Sequence, residues 1–198
     1  SRSAVQTLSL YVAIAVFWLV LSQMTPYFFT VMNIRNILLQ SAVMGILAAG
    51  FTIVLIAGEI DLSLATAQAL AGTVAALLII KGGYPVVPGI VLAILLGFLV
   101  GFVNGYFSVY VKIPSFIVTL ATLSITQGLA FVIASGRTIG GFPDSYKVIG
   151  QGSVGGIPIP VIFFIVIYII LHLVLTQTKF GLKLYAVGGS RTTANRVG

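Results

Sequence analysis

The sequence predicts an all-α fold, a polytopic transmembrane helix bundle of about six spans within one domain covering residues 1–198. Three observations carry this. Hydrophobic residues make up 59% of the chain and charged residues 7%, with a mean hydropathy of +1.18; soluble domains hold roughly 25% charged residues. The charged residues leave uncharged stretches at 3–34, 36–58, 62–80, 82–111, 113–136 and 148–178, each long enough for a spanning helix of about 20 residues. Proline, glycine and polar residues cluster between those stretches, where a helix in lipid must end.

Span one is expected at 8–24, stopping before Pro26, which cannot continue a helix comfortably. The run after Arg2 resembles a signal peptide, but the residues after it lack a small-x-small cleavage pattern, so a retained helix is expected. A polar-aromatic connector, 27–36, holds Arg35, and span two is expected at 37–57. Its twenty-one residues would reach ~31 Å, one hydrocarbon thickness. A break at 58–63 leads into span three, 62–80, with Gln68 inside it. After the turn at 81–85, span four lies within 86–111 and span five at 116–134, beyond the break at Lys112-Ile113-Pro114. A Gly-rich connector, 135–158, precedes span six at 159–175 and a polar, basic tail, 176–198.

That tail holds Lys179, Lys183, Arg191 and Arg196 with no acid, so it is expected to be cytoplasmic. Six spans then put Arg2, the break at 58–63 and Lys112 on the cytoplasmic side, and Arg35, Lys81 and the 135–158 connector outside. The net charge of +7 comes from basic residues scattered singly at span ends, which excludes a nucleic-acid surface. With no cysteine there is no disulfide framework or thiolate site. His172 stands without a second histidine or nearby acid, so no metal or other cofactor is expected. No hydrolytic triad and no phosphate-cradling Gly-x4-Gly-Lys loop occurs, so the chain is not expected to be an enzyme or to hydrolyse ATP itself.

Two of the three carboxylates, Glu59 and Asp61, lie between two long apolar runs. An acid close to hydrocarbon needs a partner or water. Either group has three readings: a surface loop, a cap for span three supplied by Asp61 or Ser63, or a site on a transport path. In span four Gly89, Ala93, Gly97, Gly101 and Gly105 recur every fourth residue; a face without side chains suits close helix packing. Asn104 beside them is either an interhelical hydrogen-bonding group or a pore-facing one. Thr119, Thr122, Ser124, Thr126 and Gln127 crowd span five. Most such hydroxyls bond the carbonyl one turn back, yet their density suits a helix facing protein or water. In the tail, Gly188-Gly189 is expected to break the chain, with Ser190 capping a short helix that Gly198 ends.

These pieces in this order resemble the membrane permease of a bacterial sugar ABC importer, of the ribose/xylose/galactose branch. The resemblance rests on Asn33-Ile34-Arg35-Asn36-Ile37-Leu38, Gly58-Glu59-Ile60-Asp61-Leu62-Ser63, Gly101-Phe102-Val103-Asn104-Gly105, Pro114-Ser115-Phe116-Ile117-Val118-Thr119-Leu120-Ala121-Thr122, Phe180-Gly181 and Tyr185-Ala186-Val187-Gly188-Gly189. It implies an inner-membrane permease for a monosaccharide or similar small polyhydroxylated solute. A second permease subunit, homo- or heterodimeric, would complete the path. Two ATP-binding subunits would drive it, and a periplasmic or lipid-anchored solute-binding protein would deliver solute near residues 137–153. By the same analogy Tyr185, Gly188, Gly189, Ser190, Arg191, Ala194 and Arg196 belong to the segment contacting the ATPase. Glu59, Asp61, Ser63, Asn104, Thr119 and Thr122 are the expected substrate-path residues, and Gly97, Gly101 and Gly105 the helix-packing ones. The family has roughly ten spans, so this chain is expected to be the N-terminal portion of a longer permease. Its Asp-Leu-Ser is commonly followed by Gly-Ser, where this chain has Leu64-Ala65-Thr66. Competing expectations are an ion-coupled secondary transporter using Glu59 and Asp61, a non-transporting membrane scaffold, and, remotely, an intramembrane aspartyl protease.

Overall fold

A computed structural model describes residues 2–197, among which there are nine helices and one short hairpin. In chain order these are α1 (Arg2–Met24), α2 (Val31–Ile56), α3 (Leu64–Ile80), α4 (Val86–Val109), α5 (Ser115–Ile133), α6 (Asp144–Gln151), β1 (Ser153–Val154), β2 (Ile157–Pro158), α7 (Ile159–Gln177), α8 (Lys179–Gly189) and α9 (Arg191–Val197). Gly198, expected to end the tail helix, and the side chain of Arg2, expected on the cytoplasmic side, lie outside the described residues.

The all-α expectation holds. Five helices, α1, α2, α4, α5 and α7, are long and apolar enough to cross a membrane. The sixth expected span, α3, is equally apolar but has 17 residues. It rises only ~25 Å, short of the ~30 Å hydrocarbon thickness.

Apart from shifts of one or two residues, four features differ from expectation, the first being that α1 begins at Arg2 and not at residue 8. α2 starts six residues before position 37, because Thr30 caps it: the Thr30 side chain accepts from the Asn33 N–H at 3.3 Å. The 135–158 connector contains α6, whose first turn carries Asp144 where a carboxylate favours the helix dipole. It also contains the β1–β2 hairpin, closed by Gly155 (φ 58°) and Gly156 (φ 83°). Two successive positive φ values make the primed turn that suits a two-residue hairpin loop. Finally, Gly188-Gly189 does not break the tail. α8 continues through both glycines and stops at Ser190, whose hydroxyl then accepts from the Thr193 N–H at 3.3 Å to open α9.

The helices pack in two groups. α3, α4 and α5 pack against one another, and α2 packs with α7 and α8; α2 and α3 touch only slightly. α6 lies on α7, and α1 lies along no other helix for any length. The small buried core belongs mostly to α3, through Ala67, Leu70, Ala71, Ala75, Ala76 and Ile79. Alanine at these positions lets α4 and α5 approach closely, the usual source of helix association in lipid.

The connectors gather at two ends of the bundle. The elbow after α2, the α4–α5 turn and α8–α9 lie together at one end, tied by the Glu59–Arg191 ion pair and the Glu59–Ser115 hydrogen bond. At the other end the Arg35 guanidinium donates to the Gln151 carbonyl, joining α2 to α6.

Candidate functional site

The site is built around the elbow between α2 and α3. α2 ends in a left-handed cap: Gly58 has φ 78°, its N–H reaches the Leu55 carbonyl at 3.0 Å, and the Glu59 N–H reaches the Val54 carbonyl at 3.1 Å. Glycine takes this conformation without Cβ strain. The reversal sends Glu59, Ile60 and Asp61 across the ends of α4 and α5.

Asp61 fixes the start of α3. Its Oδ1 accepts from the Ser63 N–H at 2.8 Å and from the Ser63 hydroxyl at 2.6 Å. Ser63 is 1% exposed, and its Oγ accepts from Asn104 Nδ2 of α4 at 2.8 Å. The Asn104 Oδ1 in turn accepts from the Thr122 hydroxyl of α5 at 2.7 Å. Thr122, Asn104, Ser63 and Asp61 thus form one donor-to-acceptor chain ending on a carboxylate, in which each bond polarises the next. One turn deeper, the Thr126 hydroxyl lies 2.8 Å from Thr66 Oγ1, and Thr66 donates to the Ser63 carbonyl at 2.9 Å. The alternatives for Asn104 are therefore resolved in part: it is 5% exposed and bonds two other helices, although its edge still borders a cavity.

Glu59 faces the other way. Its carboxylate pairs with the Arg191 guanidinium of α9 and accepts from the Ser115 hydroxyl at the start of α5. The Ile60 N–H donates back to Ser115 Oγ at 3.3 Å. Thr119 Oγ1 sits 2.8 Å from the Ser115 carbonyl and 3.3 Å from the Ile60 carbonyl, so its single proton serves one or the other.

A cavity of about 350 Å³ opens beside the elbow. Glu59, Asp61, Asn104 and Thr119 line it together with Gly101, Gly105 and Arg191. Of the six expected path residues, four share this cavity, while Ser63 and Thr122 stand behind its wall as hydrogen-bond partners. A second cavity of about 730 Å³ shares Glu59, Ser115 and Arg191 and extends past Lys112. Both sizes lie within the roughly 300–1,000 Å³ usual for small-molecule pockets.

The glycines of α4 differ in their surroundings. A Cβ placed at Gly97, Gly101 or Gly105 would meet nothing within 4 Å, so none of them packs closely against another helix among the described residues. Close approach on this helix occurs at Gly89, where a Cβ would come 2.7 Å from Ile79 Cγ1 of α3.

In the tail, Gly188 is the contact residue. A Cβ there would fall 1.7 Å from the Ile56 carbonyl oxygen, so α8 rests directly on the end of α2. Gly189 has open space around it, and Tyr185, Ser190, Ala194 and Arg196 make no ion pair among the described residues. Sequence reasoning missed Ser115 as a site residue. Its signal was its position just after Pro114 at the head of span five, within hydrogen-bond reach of the elbow only once the helices assemble.

No cluster of three or more metal-ligating side chains occurs among the described residues. Both elbow carboxylates are already engaged, Glu59 by Arg191 and Ser115 and Asp61 by Ser63, and nothing here supports ion coupling through them.

Residues 33–198 match the family described as the branched-chain amino acid transport system / permease component. The chain is similar to the ribose import permease protein RbsC of Bacillus subtilis (strain 168), with 38% identity over 191 residues, covering 96% of this chain and 59% of that protein. It is 34% identical over 187 residues to the L-arabinose transport system permease protein AraH of Escherichia coli (strain K12), covering 94% and 57%. Against the D-allose transport system permease protein AlsC of the same strain the identity is 33% over 169 residues, covering 85% and 52%. The chain thus spans between 52% and 59% of the length of these curated relatives. No solved structure matches it significantly.

Proposed function

Because this chain belongs to the permease-component family of ABC transport systems, we propose that it is the membrane-spanning subunit of an ATP-driven importer for a monosaccharide or similar polyhydroxylated solute. Its relatives are named for ribose, L-arabinose and D-allose. The observation that carries the reading is the cavity beside the elbow, which gathers Glu59, Asp61, Asn104 and Thr119 within reach of a tail docked at the same end.

In this reading Asp61, Ser63, Asn104, Thr119 and Thr122 shape the cytoplasmic end of the solute path, with Glu59 at its mouth. Amide and hydroxyl groups suit a neutral sugar, because they exchange hydrogen bonds without requiring a counter-charge. α8–α9, with Tyr185, Gly188, Gly189, Ser190, Arg191, Ala194 and Arg196, forms the cytoplasmic coupling segment within 176–198 that receives the ATP-binding subunits. The open Gly97–Gly101–Gly105 face of α4 receives a helix from outside this chain. Residues 137–153 face a periplasmic or lipid-anchored solute-binding protein. A second permease subunit, identical or related, completes the path in the bacterial inner membrane.

The test is reconstitution of the intact permease. It should co-purify with an ATP-binding subunit, and uptake should require ATP and survive an ionophore that collapses proton and sodium gradients. Uptake abolished by the ionophore with ATP present would end this reading.

A further inference from the structure

We propose that Glu59 and Arg191 are the positioning residues that link the coupling segment to the α2–α3 elbow, so that displacement of α9 moves the mouth of the solute path. The inference rests on the permease reading and adds to it a specific route for the motion.

Four observations converge on this pair. Glu59 is the one side chain at the elbow that holds partners from both packing groups: Arg191, carried on α8–α9 against α2 and α7, and Ser115 of α5. The backbone contact is equally close. Gly188 abuts the Ile56 carbonyl with no room for a Cβ, and a Cβ on Gly58 would lie 4.0 Å from Gly188 Cα. The tail therefore cannot shift without moving the end of α2, the charged pair, or both. The residues after Glu59 carry the displacement inward, because Ile60 bonds Ser115 and Asp61 anchors the buried Ser63–Asn104–Thr122 chain. Glu59 and Arg191 also line both cavities, so parting them opens the boundary between the two.

Each Glu59 oxygen holds one partner, Arg191 on Oε1 and Ser115 on Oε2, so the carboxylate's direction is set from within the chain. Gly188 is explained by the same contact: it permits the approach that brings Arg191 to Glu59.

The experiment uses the full-length permease assembled with its ATP-binding subunits and solute-binding protein in proteoliposomes. Glu59→Gln and Arg191→Gln should each lower uptake per assembled complex about tenfold, inside the roughly 5–150-fold span of ordinary site-to-site coupling. The exchange variant Glu59→Arg/Arg191→Glu should recover part of the uptake. Unchanged uptake in both single variants overturns the linkage while leaving the permease reading standing. A parent complex that never binds an ATP-binding subunit overturns both. A second measurement does not depend on variant activity. This chain contains no cysteine, so Glu59→Cys/Arg191→Cys, with any other cysteines of the full chain replaced, supplies one thiol pair for a short bifunctional maleimide. The yield should differ several-fold between nucleotide-free and ATP-trapped complexes, and equal yields would overturn the proposal.

Discussion

The α3–α4–α5 group and the α2–α7–α8 group are held together differently. Hydrogen bonds between side chains of different helices cross the first group at two levels, Asp61–Ser63–Asn104–Thr122 and Thr66–Thr126. The second group has apolar surfaces and glycine contacts, such as Gly45 against the Phe164 ring and Gly188 against the end of α2. Polar groups in lipid specify one register, because each slip strands a donor or acceptor. Apolar contacts strand no donor or acceptor when they slip. The contrast points to a locked unit beside a movable one, with the elbow and the Glu59–Arg191 pair between them.

The largest expected effect is at the hub of the locked unit. Asn104→Leu leaves the Ser63 and Thr122 hydroxyls without their partner and should lower stability by about 2 kcal/mol. Unfolding in mixed micelles of increasing denaturing detergent measures this, and an unchanged midpoint would mean the ladder does not hold the group. Next comes Gly188→Ala, whose methyl group meets backbone and not a yielding side chain. It should displace α8 and lower uptake more than Gly189→Ala, which has open space; equal uptake would remove Gly188 from its role as a seat.

Asp61→Ala should reduce uptake more than Ser63→Ala. The acid accepts both the N–H and the hydroxyl of Ser63, whereas the serine variant still leaves Asp61 its bond to the residue 63 N–H. Identical near-parental uptake in both would reduce the acid to a surface residue. Gly101→Leu should leave the helix content of this portion unchanged, because its Cβ meets nothing within 4 Å among the described residues and its side chain extends into the open cavity beside the elbow, and should impair assembly of the full complex. Normal assembly would show that the α4 face stays open to lipid.

The smallest effect lies on the outer connector. A hydrogen bond from Lys147, 2.8 Å away, and then its charge hold the Asp144 carboxyl below its usual value. A depressed folded value means that any stabilisation is present above the unfolded pKa and disappears as pH falls through the folded one. Both groups are exposed, so thermal stability should barely change. Lys147→Ala should instead raise the Asp144 titration midpoint in carboxyl NMR.

Much of the fold was legible because bilayer thickness is a strong constraint on sequence. Uncharged stretches bounded by proline, glycine and lysine located the spans, although the local cap at Thr30 and the first-turn acid of α6 were overlooked. The elbow was legible as a break bearing acids, since acids in such surroundings are rare. Which partner each acid takes was not. Asp61 bonds within two residues, in a turn ahead of α3 and not as a side-chain cap of it, whereas Glu59 reaches Arg191 and Ser115, far away along the chain.

From the residues alone came the membrane class, the order of the helices, the grouping of loops at each end and the likeness to sugar permeases. These rest on hydropathy, charge placement and short motifs, all of which are local in the chain. Only the assembled structure decided that Asn104 bonds across helices, that Gly101 faces open space while Gly188 is pressed against α2, and that Glu59 belongs with the tail. Those outcomes depend on which helix faces lie against each other, and helices that are apolar all round carry little information about which neighbour they will meet.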